Sequence, residues 1–98
     1  MPDEDLVLGL AALGQPIRLS LYRHLVIAGE AGIGPVALAV AVGMQRNLIS
    51  YHLQPLVAAG LVRSEKRGRD VNYRIDPIGL TKLASALLQL SATSKTIE

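Results

Sequence analysis

Apolar residues recur at helical spacing through most of this chain, and the interruptions are glycines and prolines. Residues 5–13 form a short apolar stretch led by acids, which suits the N-terminus of a helix. Gly14 stops it, and Pro16 fits the first turn of the next. From 16 to 28, Ile17, Leu21, Leu25 and Ala28 keep a helical period, with Leu19 and Tyr22 alongside. The glycine-rich stretch 29–34 reads as a loop. Pro35 opens a third helix to 42, so aliphatic that burial on most sides is expected. A fourth helix is predicted over 45–58, with Leu48, Ile49, Leu53, Leu56 and Val57 inside. Pro55 should kink it or loosen it early. Residues 61–66 and 71–76 alternate apolar and polar positions about the basic turn Lys66-Arg67-Gly68-Arg69-Asp70, a β-hairpin pattern. A last leucine-rich helix is expected at 77–92.

The predicted class is therefore mainly α with a small β-hairpin, in the order α-α-α-α-β-β-α. Short helix, turn, polar-faced helix, basic hairpin is the layout of a winged helix-turn-helix. There the second helix enters a DNA groove and the wing adds phosphate contacts. One domain over 1–98 is expected, with tails at about 1–4 and 93–98.

Charge sharpens this picture. Between 46 and 74 the bases Arg46, Arg63, Lys66, Arg67, Arg69 and Arg74 stand against Glu65 and Asp70. The segment is thus +4, and the rest of the chain −2 of the net +2. A polyanion meeting one face fits such asymmetry, although a solvated basic hairpin would carry the same charges. Half of the 98 residues are hydrophobic and the only aromatics are three tyrosines. That apolar content is high for a chain of this length and suggests surface covered by a second copy. No stretch approaches the roughly 20 apolar residues of a membrane span. With the acidic Asp3, Glu4 and Asp5 in place of a secretory leader, the expected location is cytoplasmic. Zero cysteines exclude disulfides, thiolate metal sites and thiol sensing.

Three segments resemble the ArsR-type winged-helix repressors of bacteria. Leu13-Gly14-Gln15-Pro16-Ile17-Arg18-Leu19 is similar to the family's junction between its first two helices. Asn47-Leu48-Ile49-Ser50-Tyr51-His52-Leu53, with Leu56 and Gly60-Leu61-Val62, resembles its recognition-helix signature. Arg67-Gly68-Arg69 followed by Tyr73 resembles its wing. The likeness covers roughly residues 5–90. It implies a homodimer through the first and last helices, with Leu6, Leu10, Leu80, Leu83 and Leu87 at the seam. It also implies a repressor on an inverted-repeat operator of double-stranded DNA.

On this reading Arg46, Asn47, Ser50 and Tyr51 reach base edges or phosphates, Gln45 contacts phosphate, and Gln54 is less favourably placed beside Pro55. His52 is a structural or phosphate-contacting imidazole rather than a metal ligand. His24 has no ligand-spaced companion. Lys66, Arg67 and Arg69 neutralise phosphates, and a wing-tip arginine also suits the minor groove. Tyr73 is expected to pack. Arg18 suits either a DNA phosphate or an intramolecular ion pair.

The family's best-known sensors hold metal or arsenic through third-helix cysteines or last-helix Asp and His. Residues 35–40 and 78–87 here contain none of these. No metal or other cofactor is expected. An organic effector between helices, a protein effector, or regulation by concentration alone stay open. No catalytic constellation is present: Ser50 and His52 diverge on one helix. A winged helix used for protein–protein contact is the alternative function.

Overall fold

The computed structural model describes residues 1–94. Its elements run α1 (Asp3–Leu13), α2 (Pro16–Ala28), a 3₁₀ turn (Gly29–Ala31), α3 (Pro35–Val42), α4 (Arg46–Ala58), β1 (Val62–Arg67), β2 (Asp70–Ile75) and α5 (Pro77–Thr93). The helix order and hairpin are as the periodicity predicts. Boundaries move where local chemistry decides them. α1 begins at Asp3, because three consecutive acids occupy its first turn and suit the positive end of the helix dipole. Residues 95–98 of the expected tail lie outside the described residues.

The α1–α2 junction is a double cap built from the Gly-Gln-Pro-Ile-Arg run. Gly14 N–H donates to the Leu10 carbonyl at 2.8 Å, and Pro16 occupies the first turn of α2. Gln15 Oε1 accepts from the Arg18 amide at 2.8 Å, while the Arg18 side chain turns back onto α1. Its Nε donates to the Ala12 carbonyl at 2.8 Å and its Nη2 to the Ala11 carbonyl at 3.1 Å. Arg18 makes no ion pair among the described residues; it satisfies the orphaned carbonyls at the negative end of α1.

α3 ends in a Schellman motif. Gly43 sits in the left-handed region at φ 68°, ψ 39°, while Met44 N–H bonds to Ala39 O at 2.9 Å and Gly43 N–H to Val40 O at 3.3 Å. That reversal sets the angle at which α4 leaves α3. α4 continues through Pro55 to Ala58, the end the periodicity predicts. Leu53 and Leu56 on either side of the proline are buried at 1% and 0% exposure, and packing holds the turn that has lost a donor. The inner seam of α4 is Ile49, Leu53 and Leu56. Leu48, expected on that seam, is 40% exposed because it lies one residue, about 100°, off the buried line.

These three side chains meet Leu21 and Leu25 of α2, Leu38 of α3, and Leu61, all fully buried, with Ala12, Tyr22, Val62, Tyr73 and Leu83 completing the core. β1 and β2 pair antiparallel from Val62 opposite Ile75 to Arg67 opposite Asp70. Each strand is displaced one residue from expectation toward the turn. The connection is only Gly68-Arg69, with Gly68 at φ 65° supplying the positive dihedral of a two-residue hairpin turn. The stretch 29–34 is more than a loop. Ile33 adds a third-strand bridge to Tyr73, with both N–H···O bonds at 2.9 Å, and Asn72 Nδ2 donates to Ala31 O at 3.1 Å.

Asp76 caps α5, its Oδ1 accepting from the amides of Ile78 at 3.0 Å and Gly79 at 3.4 Å. α5 spans 17 residues but buries only Leu83 fully. The chain is accordingly elongated, with extents of 52 × 24 × 22 Å. Its radius of gyration is 15.0 Å, against about 13 Å for a compact chain of this length.

Candidate nucleic-acid interface

α4 is amphipathic because its apolar positions fall on one seam, which leaves Arg46, Asn47, Ser50, Tyr51 and Gln54 exposed on the opposite side. Gln45 precedes the helix as its N-cap residue, and its side chain makes no capping bond. The residue is exposed. Tyr51 is 73% exposed, and its ring stands edge-on to His52 with centroids 5.2 Å apart. His52 is half-buried. A cleft of about 560 Å³ separates this helix from the wing, lined by Pro35, Gln45, Arg46, Asn47, Ser50, Val71 and Tyr73. Across it Ser50 Oγ and Tyr73 Oη are hydrogen-bonded at 3.0 Å.

Folding sorts the six bases into distinct electrostatic settings. Arg63 Nε pairs with Asp76 Oδ2 at 3.4 Å, and Arg74 Nη2 with Glu65 Oε2 at 3.0 Å, both at the base of the wing. Glu65 also approaches Arg67 Nη2 at 3.6 Å. Arg46, Lys66 and Arg69 are exposed and carry no ion pair among the described residues. The charge count of the sequence treats these six alike; cross-strand register separates them, since β1 and β2 bring Glu65 between Arg67 and Arg74.

Burial raises the Asp76 pKa, but hydrogen bonds from the Gly79 and Ile78 amides and the Arg63 guanidinium outweigh it, so the carboxyl titrates below its ordinary value. Burial, then the nearby Asp76 charge, raises the pKa of Tyr22. His24 stays on α2, with Nδ1 2.9 Å from the Ser20 carbonyl. Among the described residues no group of three or more His, Cys, Asp or Glu is placed to hold a metal ion. No helix there is long and apolar enough to cross a membrane.

The leucines expected at a seam between copies divide. Leu10 and Leu87 are 44% and 40% exposed, whereas Leu6 and Leu80 are partly buried against the core. Leu83 is 3% exposed and fills the space left by Gly9 of α1, where a Cβ would lie 3.1 Å from its Cδ1. Leu83 therefore serves the interior of the chain itself. Val7, Leu8, Leu88 and Leu90, which the sequence reading did not single out for the seam, are all more than half exposed.

A supporting helix, a tight turn, an exposed polar helix and a basic two-stranded wing define a winged helix-turn-helix. A helix-turn-helix domain family matches residues 13–65. An ArsR-like transcriptional regulator from Rhodococcus sp. RHA1 is 34% identical, covering 91% of this chain and 81% of that one, with a TM-score of 0.78. The AntR antimony-specific transcriptional repressor is 33% identical over 92% of this chain and 79% of its own, with a TM-score of 0.66. The homodimeric winged helix-turn-helix DNA-binding domain of a possible ArsR-family regulator from Mycobacterium bovis shares the fold. It is 23% identical over 97% and 86% of the two chains, with a TM-score of 0.70. No curated protein matches the chain. The chain belongs to the ArsR family of winged helix-turn-helix transcriptional regulators. It is a DNA-binding regulator and not an enzyme.

Proposed function

We infer that the protein is a homodimeric cytoplasmic repressor that occludes a promoter by binding an inverted-repeat operator. The observation that carries the reading is the shared cleft: the exposed polar face of α4 and the second strand of the wing line one concave surface. With α4 in the major groove, Arg46 suits a bidentate contact to guanine and Asn47 one to adenine. Ser50 and Tyr51 reach base edges or phosphates, and Gln45 and His52 contact phosphate at the rim. Lys66, Arg67 and Arg69 then neutralise backbone charge on the neighbouring turn.

Dimerisation is supported by the apolar residues that α1 and α5 leave uncovered. Val7, Leu8 and Leu10 on α1, and Leu87, Leu88 and Leu90 on α5, are each at least 40% exposed. A single domain rarely leaves so many large apolar side chains on two helices in water. The Mycobacterium bovis domain of the same fold is homodimeric. Two copies joined there would present two α4 helices, as reading a palindromic site requires.

Selection of the purified protein against a random duplex pool tests the reading. An enriched inverted repeat with half-sites about one helical turn apart is expected. Retention of DNA without enrichment would reduce the activity to non-specific basic binding. No retention would favour a winged helix used against another protein.

A further inference from the structure

We propose that Tyr73 is a positioning residue for DNA. Its hydroxyl donates to Ser50 Oγ and so leaves the Ser50 hydroxyl as a dedicated donor to a phosphodiester oxygen seated between α4 and the wing. The inference rests on the DNA-reading function proposed above and adds a residue that the sequence assigns to packing alone.

The Ser50 Oγ···Tyr73 Oη contact of 3.0 Å joins residues 23 apart in the chain. It is the only side-chain hydrogen bond between α4 and the wing among the described residues. Geometry alone allows either hydroxyl to donate. Chemistry decides: a phenol is a better donor and a poorer acceptor than an aliphatic alcohol, so the proton between them belongs to Tyr73. Ser50 then keeps its own proton for another acceptor. A helical serine commonly returns that proton to a carbonyl one turn back. No such bond is made by Ser50 among the described residues.

Tyr73 is also firmly held within the wing. Its amide and carbonyl are both bonded to Ile33 at 2.9 Å, and the residue is 6% exposed. Ser50 is exposed on the helix surface. A fixed phenol thus sets the direction in which a mobile hydroxyl points.

The cleft is suited to a phosphate where Ser50 faces Tyr73, and Arg46 and Asn47 on its α4 wall are left to base edges. It holds Gln45, Arg46, Asn47 and Ser50 on one wall and Tyr73 on the other, and no acid lines it. With α4 in the major groove and the wing over the adjoining minor groove, the strand between them is the phosphate rim that separates the two grooves. A donor-only serine beside Arg46 matches a non-bridging phosphate oxygen, which can only accept.

The test places neutral methylphosphonates one at a time along the selected operator and measures binding by the wild-type protein, Tyr73→Phe, Ser50→Ala and the double variant. Wild-type binding should weaken on substitution at one phosphate per half-site beyond those answering to Gln45, His52, Lys66, Arg67 and Arg69. Tyr73→Phe and Ser50→Ala should each lower affinity for unmodified operator by about 3–10-fold. Both should lose the response at that same phosphate and keep the responses elsewhere, and the double variant should bind no worse than either. A purely structural Tyr73 would reduce affinity with the phosphate pattern unchanged; that result, or additive losses, overturns the proposal. A changed base preference with the phosphate responses intact would assign Ser50 to a base edge and overturn it equally. Ser50→Ala, at an exposed position, carries the test if Tyr73→Phe does not fold. A wild-type protein that enriches no duplex would instead overturn the DNA-reading function itself.

Discussion

Arg46 and Arg69 are both exposed cations, yet their surroundings give them different work. Arg46 lines the cleft in the first turn of α4, while Arg69 is one of the two residues of the wing turn. Arg46→Ala should cost about 1–3 kcal/mol and relax preference at one base position, read by repeating the duplex selection with the variant. Unaltered affinity and an unaltered consensus would remove Arg46 from the reading face. Glu65 makes the opposite case. It sits between Arg67 at 3.6 Å and Arg74 at 3.0 Å, spending part of the wing's positive charge inside the protein. Glu65→Gln should therefore tighten binding to operator and non-operator duplexes alike and steepen the salt dependence, as Arg67 becomes free for phosphate. A loss of affinity would mean that Glu65 holds Arg67 in its binding pose. These surface pairs contribute little to stability, so the variant's melting temperature should stay close to that of the wild type.

At the scale of elements, most boundaries follow from capping chemistry. Gln15, Pro16 and Arg18 close one helix and open the next, and Gly43 turns α3 into α4. Asp76 does this for α5 while also pairing with Arg63 of β1, which ties the last helix to the wing. Because its pKa is lowered by folding, its stabilisation is complete above the ordinary carboxylate value and is lost as pH falls through the folded one. Asp76→Asn keeps an amide oxygen for the cap but has no charge to titrate. Wild type should be the more stable at neutral pH, with the gap closing below about pH 4. Thermal melts across that range check it, and a gap independent of pH would exclude the carboxylate as its source.

For the whole molecule, the issue is what α5 does with apolar surface that its own chain does not cover. Leu83 is spent on the protomer core against Gly9, so a charge there would unfold the chain before it reported on assembly. Leu87 is four residues on and 40% exposed. Leu87→Asp should sediment as a folded monomer with native circular dichroism, whereas Leu83→Asp should lose helical signal. A Leu87→Asp protein that still sediments as a dimer would move the seam off this face of α5.

Element order, the helical stripes and the basic hairpin were legible in the chain because each depends on local periodicity and on Gly and Pro placement. The likeness in the junction, recognition-helix and wing segments was legible for the same reason, since each lies within a short continuous run. What local pattern left open was every pairing between distant positions. Arg18 turned out to cap α1 because Gly14 folds α2 back onto it. Leu48 is outside and Leu83 inside because neighbouring elements, not hydrophobicity, decide which apolar side chains find cover. The contact of Ser50 with Tyr73, and the division of the wing's arginines between bound and free, depend on strand register and on how α4 lies against β2. Sequence determined which residues are able to bind DNA; the tertiary structure determined which are left unengaged to do so, because hydrogen bonds and ion pairs form between groups that only folding brings together.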